Sequence, residues 1–413
     1  MRLASRVESL PPSSTLAVTA RAKELARAGV DVISFAAGEP DFSTPQLVVE
    51  AAVSALRGGQ TRYGPVPGDP ESQRVIAEKL TRENGIPGVT ADHVVISSGG
   101  KHSLALLFQA LIDAEAGIDE VLLPVPAWVS YAPMTTLAGG RVVEIPTSSA
   151  NDFKMTPEQL ERAITSRSRI LVINSPSNPC GTMYSPEELR AFAQIVADAA
   201  VTRAPDLVVI SDELYEKIVF GGIDHYSIGS VPAIAERTIT VNGLSKAYAM
   251  TGWRIGYFAG SGAFGLKVAR GVAKLQSQST TSIPTFIMPA VSAALTKCEG
   301  EVARMREAFA ARAQIAYSLI AGIPGLVCPE PTGAFYLFPD VSAHFGKKSV
   351  GGREITSAAA FAEALLEEQR VAVVPGEDFG SGGEKCFRLT FACDEKSIRE
   401  GIGRIRAFIG SLR

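Results

Sequence analysis

Long apolar runs are missing from this 413-residue chain, and so is any excess of one charge: 40 Lys and Arg stand against 43 Asp and Glu, a formal net charge of −3. No stretch of about 18 uninterrupted apolar residues occurs, so no transmembrane helix and no membrane partner are expected. No basic run stands out, which argues against nucleic acid as a partner. Cysteine is sparse and odd in number, with Cys180, Cys298, Cys328, Cys386 and Cys393 scattered along the chain. None of them has the C-x-x-C spacing of a metal site, so no metal is expected and the thiols read as reduced and cytoplasmic. The first residues, Met1 to Arg6, lead into charged and polar residues rather than an apolar core with a cleavage site, unlike a signal peptide. Internal repeats and low-complexity tracts are also lacking.

What the chain does have is an ordinary enzyme-like composition, 46% apolar and 20% charged. Its length exceeds the usual size of one hydrophobic core, so two domains are expected. Short apolar runs alternate with helical lengths through the middle. His93–Ser97, Glu120–Pro124, Arg169–Ile173, Leu207–Ser211 and Thr238–Val241 read as buried strands, and about Lys101 to Ile112 as a helix. The pattern predicts an α/β fold with a mostly parallel central sheet flanked by helices on both faces. From about Val291 the pattern changes to one long polar-faced helix ending near Ile320, then short strands and a last helix over about Lys396–Ile409. That predicts a smaller α+β domain, with Gly346–Glu354 as a surface loop. In open parallel sheets, ligands sit beyond the carboxyl ends of the strands. The chemically loaded segments each follow a predicted strand in that position.

Lys246 is the most informative of them. It follows Thr238–Val241 in a run of small residues, Asn242-Gly243-Leu244-Ser245-Lys246-Ala247. A lysine so placed is desolvated, which lowers its pKa and makes the amine a nucleophile toward aldehydes. Ser98-Gly99-Gly100-Lys101 follows another strand and opens a helix, an arrangement whose amides and positive end suit a phosphate. Arg254 offers a planar fork to the same anion. Asp212 ends a very apolar strand, where an acid is usually a helix cap. Asn174-Ser175-Pro176-Ser177-Asn178-Pro179-Cys180-Gly181 reads as a rigid turn. Trp128 is on its own more often a core residue, Tyr63 and Gly38 lie in proline- and glycine-containing loops that on their own are ordinary turns, and Arg388 in Phe387-Arg388-Leu389-Thr390-Phe391 is on its own most often a surface or salt-bridged arginine.

Taken in order, these segments resemble the class I aminotransferases of the fold-type I pyridoxal 5′-phosphate (PLP) enzymes, and most of all the bacterial aspartate aminotransferases. The resemblance runs from about Leu10 to Phe391. It implies a large PLP-binding domain over 47–290 and a small domain built from the N-terminal arm 1–46 together with 291–413. It implies a PLP imine on Lys246, with Ser245 beside it, and Asp212 against the pyridine nitrogen. Tyr215 and Asn178 are implied at the ring oxygen and Trp128 stacked on the ring. The phosphate is implied to lie on Ser98, Gly99, Gly100, Lys101 and Arg254. Tyr63 would reach the phosphate of a neighbouring subunit, which implies a homodimer with shared active sites, and Gln276–Thr280 resembles another segment near the partner's site. For substrate, the resemblance implies Arg388 gripping the α-carboxylate, the Gly38 backbone beside it, and Asn178 and Trp128 nearby. Cys180 departs from the threonine usual at its position. The implied activity is ping-pong transfer of an amino group from an L-amino acid, aspartate first, to a 2-oxo acid, 2-oxoglutarate first. An aromatic or broad-range aminotransferase is the alternative, and a PLP-dependent lyase of the same fold a further one. Some relatives carry a basic residue where this chain has Pro11-Pro12-Ser13-Ser14-Thr15, so no cation for a distal carboxylate is evident there.

Overall fold

Seven strands form the central sheet in the order β2-β8-β7-β6-β5-β3-β4. They are β2 (Val94–Ser98), β3 (Glu120–Val125), β4 (Arg141–Pro146), β5 (Ser168–Asn174), β6 (Val208–Asp212), β7 (Thr238–Gly243) and β8 (Ile255–Gly260), after a short β1 (Ile33–Ser34) elsewhere. The computed structural model describes residues 2–8, 10, 14–115 and 119–413, without the side chains of 14–16. Pro11, Pro12 and Ser13, with the side chains of Ser14 and Thr15, therefore lie outside the described residues.

All pairings in this sheet are parallel except those of β8, which runs antiparallel to both β2 and β7. The central strands β5, β6 and β7 are buried on both faces, as a parallel sheet covered by helices requires. The helices Gly100–Leu111 and Gly262–Ser277 supply one apolar layer, with Leu107, Phe108, Val268 and Val272 against Val95, Val172 and Phe258. The helices Pro157–Ala163 and Pro186–Thr202 cover the other face with Leu160, Leu189, Phe192 and Val196. Local chemistry starts these two helices. Thr156 and Ser185 form capping boxes with Gln159 and Glu188, and a proline opens the first turn of each.

A second hydrophobic core lies outside the large sheet. It gathers the helices Glu299–Ala321, Ala358–Gln369 and Glu395–Ser411 around Phe35, Phe309, Phe335, Phe361, Phe387 and Phe408. Its strands are β9 (Tyr336–Leu337), β10 (Val371–Ala372), β11 (Val374–Pro375) and β12 (Phe387–Thr390). β1 pairs in parallel with β10, so the N-terminal segment joins the C-terminal one. The close fit is set by Gly401, where an added Cβ would lie 2.4 Å from the Phe35 ring.

Two sequence expectations need correction. The single long helix expected from about Val291 is two helices, Met288–Lys297 and Glu299–Ala321, because Cys298 leaves helical geometry at φ −113° and ψ 23°. Strands β4 and β8 were not foreseen. Half-exposed β4 lacks a continuous apolar run, and β8 is masked by its glycines. Those glycines matter: a Cβ on Gly256 would lie 2.1 Å from the Gly100 nitrogen, so only glycine lets β8 pass the start of the Gly100–Leu111 helix.

Candidate active site

The carboxyl ends of β5, β6 and β7 open onto a cavity of about 460 Å³, closed on its far side by Tyr336 and Arg388 of the second core. Its lining holds Gly38, Gly100, Lys101, Trp128, Asn178, Asp212, Tyr215, Ser245, Lys246, Arg254 and Arg388. Segments more than 300 residues apart thus converge on one volume, of ordinary size for a small-molecule site.

Lys246 stands in the connection from β7 to β8, held by buried Ser245 and Ala247. Its Nζ donates to the Gly38 carbonyl at 2.5 Å. Burial, and then the nearby Arg388 charge, push its pKa down to about 8. Asp212 ends β6, in register with Asn174 of β5 and Val241 of β7. Burial raises its carboxyl to about 6, opposed by the Tyr131 hydroxyl, which donates to Oδ2 at 2.6 Å. Lys246 and Asp212 are therefore displaced toward one another, as groups that exchange protons near neutral pH should be.

Arg388, on β12, is 3% exposed and is pinned on both arms of its fork. Nη1 donates to Asn178 Oδ1 at 2.9 Å and Nη2 to the Ala36 carbonyl at 2.8 Å. Among the described residues its Nε has no partner in spite of burial. The guanidinium lies over the Tyr336 ring at 4.7 Å and Phe379 at 5.3 Å. Tyr336 also shares a 2.9 Å hydroxyl contact with Tyr215.

Cations gather at the other end of the cavity. Arg254 takes up a left-handed conformation (φ 56°) and remains exposed, donating to the Thr251 carbonyl at 2.9 Å. A Cβ on Gly99 would lie 2.4 Å from Arg254 Nη2, so the glycine admits the guanidinium beside the helix start. Lys101 Nζ lies 4.9 Å from the centre of the Trp128 ring, and partial burial together with Arg254 pushes its pKa down. Two cations and the amino end of the Gly100–Leu111 helix thus face one place, which suits a bound anion.

Ser98, Gly99 and Tyr63, named from the sequence, lie outside this lining. Ser98 and Gly99 back Arg254, the Ser98 carbonyl 3.5 Å from Nη2. Tyr63 is 92% exposed, in a separate shallow concavity with Gln60, Asp69 and Thr285. Gln276 is buried and donates to the Val66 and Ile96 carbonyls, while 278–280 are exposed. Cys180 packs with Phe338, Phe379 and Cys386 as a small apolar side chain, and burial pushes its thiol up.

Sequence reasoning missed four members of the site. Tyr131 opens the helix three residues after Trp128, where its amide closes a turn onto the Trp128 carbonyl. Asn174 ties its loop by donating to the Asp212 carbonyl and accepting from the Asn178 amide. Tyr336 carried no signal, since an aromatic in an apolar strand is ordinary core. Thr251 donates to Glu39 across the cavity mouth.

Beneath the site lies a second charged cluster. Glu213, Glu216 and His225 bring their ligand atoms within 4.8 Å of one another. The carboxylates already accept from Lys79, Asn84, Ser211 and Ser227, so the Lys79 ammonium stands where a cation would.

Comparison with known proteins matches this architecture over its full length. The family model for aminotransferases of class I and II matches residues 30–405. The aspartate aminotransferase of Bacillus subtilis is 42% identical over 410 residues, covering 99% of each chain. The aspartate/prephenate aminotransferase of Cereibacter sphaeroides is 43% identical over 411 residues, again 99% of each. Among solved structures, the aspartate aminotransferase from Rhizobium meliloti superposes with a TM-score of 0.93 at 36% identity, covering 100% of both chains. The Thermus thermophilus enzyme with maleate gives 0.89 at 41% identity, covering 99% of this chain and 100% of that one. With the family model spanning most of its length and relatives above 40% identity end to end, this chain belongs to the class I and II aminotransferases.

Proposed function

We propose that this protein is a PLP-dependent aminotransferase that takes L-aspartate as amino donor and 2-oxoglutarate as acceptor, by a ping-pong route through Lys246. The observation that carries the reading is one cavity holding a lysine amine of lowered pKa, a buried carboxylate and a buried arginine whose Nε has no partner among the described residues.

The residues fit the cofactor. The cleft where glycines bring Arg254 against the helix start suits its phosphate. Asp212 would face the pyridine nitrogen, Trp128 would offer a ring face, and Tyr215 and Asn178 would offer hydrogen bonds to the ring oxygen. When bound, PLP supplies an aldehyde for Lys246 and an electron-withdrawing ring for the substrate carbanion. Arg388 receives the α-carboxylate and orients the α-carbon toward Nζ. The Lys246 amine, once free, would take the α-proton and deliver it to the cofactor carbon on the other side of the substrate nitrogen. A pKa near 8 leaves enough neutral amine for this at physiological pH.

Specificity for a dicarboxylate needs a second cation. Lys101 offers one: it lines the cavity, with its ammonium 4.9 Å from the centre of the Trp128 ring. We assign its backbone end to the phosphate and its side chain to the distal carboxylate. An aromatic substrate is the second reading, favoured by Leu104, Val129 and Pro133 in the lining.

We also propose a homodimer with shared sites. Leu47, Val53 and Leu56 are exposed on one short helix, beside an open groove lined by Trp253, Phe286 and Arg254, with Tyr63 nearly bare. Covering these would enclose Arg254. The two hydrophobic cores support a division into 47–290 and 1–46 with 291–413. All five cysteines are free, in keeping with a cytoplasmic protein, and among the described residues no helix is long and apolar enough to cross a membrane.

The test is the absorbance spectrum of the purified protein, before and after L-aspartate without any keto acid. Replacement of the visible band by that of the aminated cofactor is expected. Absence of any cofactor band would overturn the reading. A band indifferent to aspartate would move the donor to the aromatic class, and release of pyruvate and ammonia would mean a lyase.

A further inference from the structure

We propose that Tyr131 is a positioning residue for the cofactor ring, fixing the Asp212 carboxylate by hydrogen bond and bracing Trp128 by edge-to-face contact. The proposal rests on the PLP reading above, in which Asp212 and Trp128 touch the ring and Tyr131 acts only through them.

Tyr131 is fully buried at the start of the Tyr131–Leu137 helix. Its amide donates to the Trp128 carbonyl at 3.1 Å, so the two residues share one turn. Its ring meets the Trp128 ring at 5.3 Å and 83°, the edge-to-face arrangement that aromatic pairs favour. Its hydroxyl donates to Asp212 Oδ2 at 2.6 Å. The only other donor to that carboxylate among the described contacts is the Leu214 amide, on Oδ1 at a long 3.3 Å. Tyr131 is therefore the strong fixed contact that sets the carboxylate plane. Burial pushes the phenol's own pKa far up, so it stays a donor over the working range.

The consequence follows from proton affinity. A donor on a carboxylate stabilises its charged form. Without it, a proton shared between Asp212 and the ring nitrogen shifts toward Asp212, and the ring withdraws electrons less well. The other groups facing Asp212 do not replace this contact: Glu213 raises its proton affinity, Lys246 lowers it through space, and Tyr215 stays neutral. One side chain thus couples the shelf under the ring to the charge at its nitrogen.

The experiment compares wild-type holoenzyme with Tyr131→Phe, using cofactor labelled with ¹⁵N in the ring. The variant keeps the edge-to-face contact and loses the donor. The ring ¹⁵N resonance should move toward that of unprotonated pyridine. The first half-reaction with L-aspartate should slow about tenfold, the effect of roughly one pKa unit, with half-saturation unchanged. An unchanged resonance and rate would overturn the proposal. Should Tyr131→Phe not fold, 3,5-difluorotyrosine at position 131 keeps the shape with a stronger donor, and the resonance should move the opposite way; no movement would again overturn it. Wild-type protein that holds no cofactor would refute the PLP reading itself, a result distinct from either.

Discussion

Two lysines, two acids and one sheet make the most instructive comparison in this molecule. Lys79 is 1% exposed and forms an ion pair with Glu216, while Asn84 bridges Glu216 and Glu213. Burial raises the proton affinity of Glu216, but the charge of Lys79 outweighs it and holds the carboxyl down at about 2. Lys246 and Asp212, a short distance away across β6, have no such arrangement. Lys246 meets one carbonyl and feels Arg388 and Arg254, and Asp212 meets neutral donors. Asp212 moves opposite to Glu216, up to about 6, and Lys246 is lowered to about 8. A buried charge that is neutralised at once belongs to the scaffold. One that is left short of partners marks where a ligand will complete the set.

The sharpest way to break this comparison is to remove each lysine in turn. Lys246→Ala should fold normally and retain cofactor noncovalently, while turnover falls at least 10²- to 10⁴-fold, the usual scale for a lost acid–base group. Steady-state rates on cofactor-loaded protein decide it, and full turnover would remove Lys246 from the chemistry. Lys79→Met should do the reverse. Stranding Glu216 costs about 3–5 kcal/mol of stability, visible as a lower midpoint in guanidinium unfolding, with kcat of the folded fraction nearly unchanged. Adding Glu216→Leu should restore much of that loss, because it removes the uncompensated charge.

The two acids allow the same comparison by pH. Asp212 is raised from its usual 3.8 to about 6 in the cofactor-free protein. The folded state then holds its proton more tightly than the unfolded one, so its contribution is present below about pH 4 and lost as pH rises through 6. Glu216 is lowered from 4.5 to about 2. Its contribution is present above pH 4.5 and lost as pH falls through 2. In cofactor-free protein, Asp212→Asn should remove a decline in stability on the order of 3 kcal/mol between pH 4 and 7. Glu216→Gln should instead flatten the rise on the acid side of 4.5. Unfolding free energies measured across both windows test it, and equal slopes for the two variants would contradict the opposite signs.

The sequence already showed where the chemistry would sit, and the reason is local. Lys246, Asp212 and Asn178 each follow a continuous apolar strand, and a strand end in a parallel sheet is a position that period and composition reveal. The contacts that hold these residues ready were not legible. Tyr336 reaches Tyr215 over 121 positions, Arg388 reaches Ala36 over 352, and Tyr131 reaches Asp212 over 81. Nothing in a run of neighbours encodes such pairs. The break at Cys298 was hidden for a related reason: helical apolar spacing continues on both sides of it. Tyr63 shows a further limit, because in a single chain it faces solvent, whatever a second subunit would bring to it.

Lys101 gives the smallest effect and bears on substrate choice. Unlike Lys79 it has no acid partner among the described residues, and unlike Lys246 it stands over an aromatic face at the cavity mouth, where water weakens its charge. A contact between that ammonium and the distal carboxylate of aspartate would be a charge-assisted hydrogen bond in a partly wet site, about 1.5 kcal/mol. Lys101→Ala should then lower kcat/KM for L-aspartate about tenfold and leave that for L-phenylalanine within about twofold, because only the dicarboxylate meets the missing charge. If instead the side chain mainly serves the phosphate, both substrates should lose equally and cofactor should dissociate more readily. The ratio of the two kcat/KM values, read beside cofactor affinity, separates these roles even if both rates fall.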